Sequence, residues 1–414
     1  MSIMKQHAQQ AKAATALLFK ASETNRNDAL KAIANSLIND KHQILEANKL
    51  DLEEANRSQL SSAMADRLRL TGERIKAIAN SVLEIAAQPP VIGEIISTHT
   101  RDDGLTIKKQ RIPLGTIGMI FESRPNVVID CSALAIKSGN AIILKGGKEA
   151  ANTNQQLGEL VKSAIAPHIP AESVQIADSC DRNGVATMLT LNEYIDLIIP
   201  RGGMSLIDFV SKNSRIPVIS HYKGVCHAFV NQDAPADMAQ NIIVNSKVQR
   251  PGVCNALETL LIHQDWPQDH IIELLTKLND LGVEIRGDQQ VGDLFSKAIP
   301  AKEMDWDEEY LDLILSVKIV ATLEDAINHI RIYGSNHTET IITTSDTASL
   351  SFQQQVDASC IMVNASTRFN DGGQLGLGAE LGISTSKLHA YGPMGAREMT
   401  AVRFLVEGEG HIRK

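Results

Sequence analysis

The first 88 residues carry a helical pattern of apolar side chains. Apolar positions recur at steps of three and four residues, as at Ile75, Ile78 and Val82, and this spacing is typical of one helix face. The string "QPPVIGE" interrupts the pattern. After it, an Asp-Asp-Gly turn at 102–104 leads to "LTIKKQRIPLG", which predicts an extended, two-sided ribbon rather than a core strand.

From Gly115 onward, short β-rich runs alternate with helical stretches. The first series is "GTIGMIF", "AIILK", "SVQIA", "YIDLIIP", "IPVIS" and "VCHAFV", and the second is "LETLLI", "VEIRG", "SVKIV", "ETIIT" and "CIMVN". Buried strands separated by helices predict βαβ units and a parallel sheet. We therefore expect two α/β domains in succession, and the terminal "EMTAVRFLVEGEG" is expected to return and pair with the ribbon at 105–114.

Composition and charge exclude several classes of function. A chain of 414 residues, 43% of them hydrophobic, can bury two cores. The net charge of −9 without a Lys/Arg block argues against a nucleic-acid partner. The start lacks the apolar core of a signal peptide, and no apolar run reaches the ~20 residues that span a membrane. Five scattered cysteines without a Cys-x-x-Cys pair or a Cys/His cluster predict a reduced, cytoplasmic protein without a metal site.

Two stretches could bind a nucleotide, although no G-x-G-x-x-G is present. "AIILKGGKEA" places Lys145 and Lys148 around two glycines after a strand, where cations can bind a ribose or a 2′-phosphate. A solvated turn explains these lysines equally well. "YIDLIIPRGGMSLIDFV" passes from a strand through residues 201–203 into a helix, whose N-terminal amides can hold a pyrophosphate. Such turns also occur without a ligand.

Two further stretches carry candidate catalytic groups. In "FESRPNVVID", Asn126 follows Arg124 and Pro125, so it is either part of a helix start or an amide donor to a developing oxyanion. In "VQRPGVCNALETLLI", Cys254 lies between a Pro-Gly turn and a strand. Taken alone, it reads more readily as a core residue than as a nucleophile. A thiol at such a turn can, however, be exposed, and we expect nearby backbone amides to lower its pKa.

Long ordered strings carry a resemblance over nearly the whole chain. They are "FESRPNV", "LKGGKEAANTN", "IIPRGG", "QRPGVCNALETLL", "VNASTRFNDGGQLGLGAELGISTSKLHA" and "GPMG". The chain resembles the gamma-glutamyl phosphate reductase family, a branch of the aldehyde dehydrogenase superfamily. The resemblance implies an α/β, aldehyde-dehydrogenase-like fold with two Rossmann-like parallel-sheet domains and a small oligomerisation ribbon. The implied cofactor-binding domain is 1–104 and 115–230, the catalytic domain is 231–390, and the ribbon of a homo-oligomer is 105–114 with 391–414.

The same resemblance implies roles for individual residues. Cys254 matches the nucleophile and Asn126 the oxyanion amide. The implied cofactor-binding residues are Lys145, Gly146, Lys148, Arg201, Gly202, Gly203, Ser205 and Glu309, of which Glu309 would hold the nicotinamide ribose. The implied substrate-binding residues are Arg124, His221 and Arg368. Arg368 is the carboxylate candidate because arginine binds carboxylates bidentately, although a buried structural arginine is an open alternative.

The implied reaction is the NADPH-dependent reduction of L-glutamyl 5-phosphate to L-glutamate 5-semialdehyde and phosphate in L-proline biosynthesis. It would run through a Cys254 thioester, with glutamate 5-kinase as pathway partner. The rival is a hydrolytic aldehyde dehydrogenase, which would need a glutamate base from an "ELGG" string where this chain has "VISHYKGVCH". A binding protein without activity would be expected to lose the thiol or the glycine turns. A second departure is Tyr391, because the family more often has arginine before "GPMG".

Overall fold

A bundle of helices begins the chain. The computed structural model describes residues 2–60, 62–178, 181, 183–219 and 223–413. The first five helices are α1 (Ile3–Lys20), α2 (Glu23–Asn39), α3 (Lys41–Arg57), α4 (Ser62–Leu68) and α5 (Gly72–Ala87). Serine or threonine side chains cap α1, α2 and α5 by accepting a backbone N–H of the first turn, which satisfies a donor that the helix leaves free. The helical prediction for residues 1–88 is confirmed.

A four-stranded parallel sheet forms the first α/β unit. The strands up to this point are β1 (Ile95–Thr100), β2 (Thr106–Pro113), β3 (Thr116–Phe121), β4 (Ala141–Gly146), β5 (Val174–Ile176) and β6 (Leu197–Arg201), and the helices are α6 (Asn126–Lys137), α7 (Ala151–Ile165), α8 (Gly184–Met188) and α9 (Met204–Asn213). The sheet has the order β5-β4-β3-β6. β4 and β5 thus follow on one side of β3, whereas β6 lies on its other side, so the strand order switches between β3 and β6. Ligands of such sheets bind at the carboxyl ends of the strands at this switch point.

A seven-stranded parallel sheet forms the second unit. Its strands are β7 (Cys226–Val230), β8 (Leu257–His263), β9 (Glu284–Gly287), β10 (Ile299–Pro300), β11 (Ile314–Val320), β12 (Thr338–Ile342) and β13 (Cys360–Val363), in the order β10-β9-β11-β8-β7-β12-β13. The helices are α10 (Ala236–Val248), α11 (Gln268–Asp280), α12 (Gln289–Leu294), α13 (Leu323–Tyr333) and α14 (Asp346–Gln355). All five strands of the predicted second series are present, so the α/β, aldehyde-dehydrogenase-like fold class is confirmed.

A small antiparallel ribbon joins distant parts of the chain. The last strands are β14 (Ile383–Ser384), β15 (Gly392–Pro393) and β16 (Thr400–Glu407). β16 pairs with β2 along its length, as predicted, and β1 pairs with the other edge of β2. The sequence did not reveal β1 because all six of its side chains are exposed, so no alternation of buried and exposed positions marks it.

Two of the predicted strands need correction. The described part of "IPVIS", residues 216–219, makes one isolated bridge, between Val218 and Ile198, and is not a strand of the sheet. "VCHAFV" becomes β7, which pairs with β8 and β12 in the second sheet. The boundary at 230 is therefore wrong for this strand, because its hydrogen bonds place it in the second unit. The other domain limits stay predictions.

Part of the predicted catalytic range packs elsewhere. Leu381, Ala390 and Met394 are buried in the same core as helices α2, α5 and α6. The chain thus returns to the first unit before it forms the ribbon, and this return brings the glycine-rich stretch 371–382 toward the first sheet.

Candidate active site

The turn that carries Cys254 is fixed by close backbone packing. Cys254 is partly exposed and lies in the turn between α10 and β8. A Cβ added at Gly224 would lie 2.9 Å from the Cα of Cys254 and closer still to its carbonyl oxygen. The Sγ of Cys226 donates to that same oxygen at 3.2 Å. Gly224 and Cys226, both in the string "VISHYKGVCH", therefore pack against the backbone of Cys254.

The thiol is hard to ionise in this structure. Burial raises the pKa of Cys254 to about 11, and the carboxylates of Glu380 and Glu309 raise it as well. The guanidinium groups of Arg201 and Arg124 lower it. The expectation that backbone amides would lower the thiol pKa is wrong, because loss of solvent and two carboxylates outweigh the nearby positive charges.

Five arginines share the electrostatic environment of Cys254. Arg124 and Arg201 act on the thiol, Arg67 and Arg250 act on Arg124, and Arg250 acts on Arg368. Burial, together with the charges of Arg201, Arg67 and Arg250, lowers the pKa of Arg124 to about 10. The five arginines come from separate parts of the chain, namely α4, the β3–α6 turn, the end of β6, the segment after α10 and the short helical turn Thr367–Phe369. Such a convergence suits an anionic substrate.

Two carboxylates complete the surroundings of the thiol. Glu380 accepts the Gly372 N–H at 2.8 Å, and burial raises its pKa while Arg201 opposes this shift. Burial also raises the pKa of Glu309, whereas the Gly224 N–H, Lys223 and Arg67 lower it. Glu309 was predicted to hold the nicotinamide ribose, and the structure brings it near Cys254.

Asn126 lies at the start of α6, directly after the end of β3. Its Nδ2 donates to Asp130 Oδ2 at 2.8 Å, which fixes the amide. Burial raises the pKa of Asp130 to about 6, while the hydrogen bond from Asn126 and the charge of Arg201 lower it. Because Arg201 also interacts with Cys254, the amide and the thiol lie in the same region of the molecule.

The two lysines after β4 differ in their surroundings. Lys145 is buried, and its Nζ lies 3.5 Å from the Gly146 carbonyl oxygen. Lys148 is exposed in a short helical turn. A Cβ at Gly146 would lie 3.1 Å from side-chain atoms of Asn154 and Phe121, so close packing requires this glycine. Of the predicted cation pair, Lys148 alone is presented to solvent.

The turn before α9 already binds a carboxylate. The Gly203 N–H donates to Glu122 Oε2 at 2.8 Å, and a Cβ at Gly202 would lie 2.8 Å from the Glu122 Cδ. Ser205 is exposed in the first turn of α9. The helix N-terminus thus holds an anion where a pyrophosphate was expected, and sequence reasoning had given Glu122 no role.

Arg368 and Tyr391 each hydrogen-bond a polar side chain. Arg368 is partly buried, and its Nε donates to Gln249 Oε1 at 2.9 Å. His221 lies outside the described residues, as does Cys180. Tyr391 donates its hydroxyl to Asp357 Oδ1 at 3.1 Å. In the part of the chain that the structure describes, no group of three or more His, Cys, Asp or Glu side chains could hold a metal.

Sequence reasoning missed four residues of this region. Gly224, Glu380 and Arg67 approach Cys254 or its neighbours only through the tertiary fold, and Arg250, four residues before Cys254, had been given no role. Glu380 stood in the quoted string "GLGAELG", but no local signal linked it to a thiol more than a hundred residues away. For Arg67, the sequence offered no signal, whereas the position of Arg250 in "VQRPGVCNALETLLI" was a signal that went unused.

Comparisons with known proteins agree with this geometry. The sequence profile of the aldehyde dehydrogenase family matches residues 3–311. The gamma-glutamyl phosphate reductase of Geobacter metallireducens is 49% identical over 408 residues, which cover 98% of each chain. The crystal structure of the gamma-glutamyl phosphate reductase of Thermotoga maritima is 40% identical, covers 100% of both chains and has a TM-score of 0.96.

A more distant structure shares the fold alone. The propionaldehyde dehydrogenase of Rhodopseudomonas palustris, solved with bound CoA and an acylated cysteine, is 16% identical with a TM-score of 0.72, and the match covers 98% of this chain and 97% of that one. Within the described ranges, no helix has the length and apolar character that a membrane span needs. Near-complete coverage at 49% identity, together with the matching profile and fold, shows that the chain belongs to the gamma-glutamyl phosphate reductase family of the aldehyde dehydrogenase superfamily.

Proposed function

We propose that this chain reduces L-glutamyl 5-phosphate to L-glutamate 5-semialdehyde and phosphate with NADPH, in L-proline biosynthesis, through a thioester on Cys254. The observation that carries the proposal is a partly exposed thiol, Cys254, in the field of several arginines, Arg124 and Arg201 among them. An acyl phosphate is strongly anionic, and guanidinium groups bind phosphate and carboxylate oxygens in a fixed fork.

The first half of the reaction needs only residues of this chain. Cys254 Sγ attacks the acyl carbon, the bond from that carbon to the phosphate oxygen breaks, and the thiol proton passes to the departing phosphate. Asn126 and the Cys254 backbone N–H would stabilise the tetrahedral oxyanion. Because the thiol has a raised pKa, the bound phosphate is the natural acceptor for its proton.

The residues at the switch point fit a nicotinamide cofactor. Lys148 is exposed at the end of β4, and the turn at Gly202 and Gly203 opens the crevice beside β3 and β6. Glu122 would have to leave the Gly203 amide before a pyrophosphate could bind there. When bound, NADPH supplies the hydride. Cys254 is then expelled from the reduced carbon as a thiolate and takes up a proton.

The hydrolytic alternative gains support from one observation. Sequence reasoning placed no carboxylate base near the nucleophile, yet the carboxylates of Glu380 and Glu309 both interact with the Cys254 thiol. A carboxylate of raised pKa can act as a general base on water. Hydrolysis of the thioester is therefore the second candidate, and the requirement for phosphate separates the two.

The proposed chemistry is tested by replacing the nucleophile. The assay follows NADPH formation from glutamate 5-semialdehyde, NADP and phosphate. Cys254→Ala should abolish turnover and leave NADPH binding, followed by its fluorescence, intact. Cys360→Ala is the matched control, because Cys360 lies in β13 and should affect stability alone through a small void. Turnover by Cys254→Ala would overturn the proposal.

The same family likeness supports a homo-oligomer assembled through the ribbon. Ile95, Phe404 and Val406 are large apolar side chains left exposed on this sheet, and exposed apolar patches commonly mark interfaces. The cytoplasmic location and the pathway partnership with glutamate 5-kinase stay predictions.

A further inference from the structure

Two arginines near the nucleophile belong to no predicted site. Arg67 lies in α4, within the N-terminal helices, and its Nη2 donates to the Gly252 carbonyl oxygen at 2.8 Å, two residues before Cys254. Arg250 is exposed just after α10, two residues before Gly252 in the same turn. Arg67 thus reaches the nucleophile turn from a distant part of the chain, whereas Arg250 belongs to the turn itself, four residues before Cys254.

The arginines of this cluster are near carboxylates but are not paired with them: Glu309 interacts with Arg67 and Glu380 with Arg201 only through their charges. Elsewhere, arginines commonly pair with carboxylates, as Arg111 does with Glu94 and Arg286 with Asp305. Among the described residues, none of the five arginines of the Cys254 region forms a salt bridge; these are Arg67, Arg124, Arg201, Arg250 and Arg368. Holding like charges together costs free energy, which an anionic ligand would offset.

The position of Arg67 and Arg250 suits one part of the substrate. The thiol must face the acyl carbon, so the group bonded to that carbon, the phosphate, lies beside the nucleophile turn. Arg67 is anchored to this turn by one nitrogen, and among the described residues its other guanidinium N–H groups have no hydrogen-bond partner and can bind a ligand. Arg250 adds a second charge. Two guanidinium groups can bind the oxygens of a phosphate dianion.

Building on the function proposed above, we propose that Arg67 and Arg250 form the binding site for the phosphate, both as leaving group and as acyl acceptor in the reverse reaction. In the forward step, the sulfur–carbon bond forms, the carbon–oxygen bond to phosphate breaks and the thiol proton ends on phosphate, so no electron acceptor is needed. In this assignment, Arg67 and Arg250 bind the phosphate of the substrate, and Arg368 binds its α-carboxylate.

The test uses inorganic phosphate as the probe and needs no turnover. Cys254 is alkylated with iodoacetamide at fixed pH, and mass spectrometry of its peptide gives the rate at increasing phosphate concentration. The concentration that halves the rate measures phosphate binding and does not depend on the reactivity of the thiol. The variants are Arg250→Met and Arg67→Lys, and lysine keeps the charge and one donor toward Gly252. Arg69→Met, an exposed arginine two residues after Arg67, is the control.

The expected results differ among the variants. Phosphate protects the wild type, and the protecting concentration rises ~10–100-fold in Arg250→Met, as for a lost hydrogen bond to a charged group. It rises less in Arg67→Lys and is unchanged in Arg69→Met. Absence of protection in the wild type, or equal protection in all variants, overturns the inference. If phosphate protects as described but the wild type oxidises semialdehyde equally well without phosphate, the inference stands and the proposed function fails.

Discussion

Gly224 is the position at which one added methyl group should displace Cys254, the proposed nucleophile. In Gly224→Ala, the new Cβ would lie 2.9 Å from the carbonyl carbon and the Cα of Cys254, and closer still to its oxygen. These are backbone atoms, which cannot rotate away as a flexible side chain would. The segment before β7 and the turn before β8 must therefore separate.

The size of this displacement sets the expected loss. Heavy atoms at van der Waals contact lie about 3.5 Å apart, so the turn must move by roughly 1 Å. A misplacement of about 1 Å at a reacting group can cost ~10²-fold in rate. We expect Gly224→Ala to lose ~10²-fold in kcat and to bind NADPH almost normally, because the crevice beside β3 and β6 is untouched.

Gly252→Ala is the control within the same turn. Its Cβ would meet the Leu311 carbonyl oxygen at 3.6 Å and Arg67 Nη2 at 3.9 Å, which are ordinary contacts, so kcat should change a few-fold at most. Thermal unfolding of both variants shows whether the fold persists. If Gly224→Ala folds and keeps the kcat of the wild type, close backbone packing does not position the thiol.

Three further predictions concern charge. Glu380→Gln should lower the pKa of Cys254 and raise its alkylation rate at pH 8, because a carboxylate opposes the thiolate. Arg201→Met should do the opposite, because a guanidinium group favours the thiolate. A pH profile of alkylation that shifts in the same direction for both variants would refute this. Lys148→Ala should raise KM for NADPH more than KM for NADH, since an exposed cation at the end of β4 can bind a 2′-phosphate; equal losses would exclude that role. Lys247→Met should lower the free energy of unfolding by ~3–5 kcal/mol, because it strands Glu258, its partner at 2.7 Å with both side chains fully buried. Burial raises the pKa of Glu258 to about 7 even with Lys247 beside it, and without Lys247 this pKa should rise further. The loss, measured by urea unfolding, should therefore grow between pH 6 and pH 8, where the unfolded chain ionises this carboxyl group and the folded variant must keep it protonated.

Periodicity predicted most of the fold because most strands are buried along their whole length. Strands such as β3 and β8 read as continuous apolar runs, and the glycine and polar residues between them marked their ends. β1 carries no such pattern, since its side chains are all exposed. The sheet to which β7 belongs could not be predicted, because adjacent strands in the sequence need not share a sheet.

The sequence likewise predicted only some residues of the candidate site. Cys254 and Asn126 stand in strings long enough to be matched, so a resemblance could assign them. Arg67 and Gly252 are 185 residues apart, and neither has a local pattern that points to the other. The pKa of the thiol was predicted in the wrong direction because it depends on Glu380, Glu309 and burial, which are properties of the folded chain.

The most direct measurement is the phosphate requirement of semialdehyde oxidation. The enzyme is mixed with glutamate 5-semialdehyde and NADP, with and without phosphate, while NADPH formation is followed and the Cys254 peptide is weighed by mass spectrometry. Our account predicts steady turnover with phosphate; without it, we expect a single burst of NADPH and an acylated Cys254. Steady phosphate-independent turnover that yields free glutamate, or an unmodified Cys254 after the burst, would contradict it.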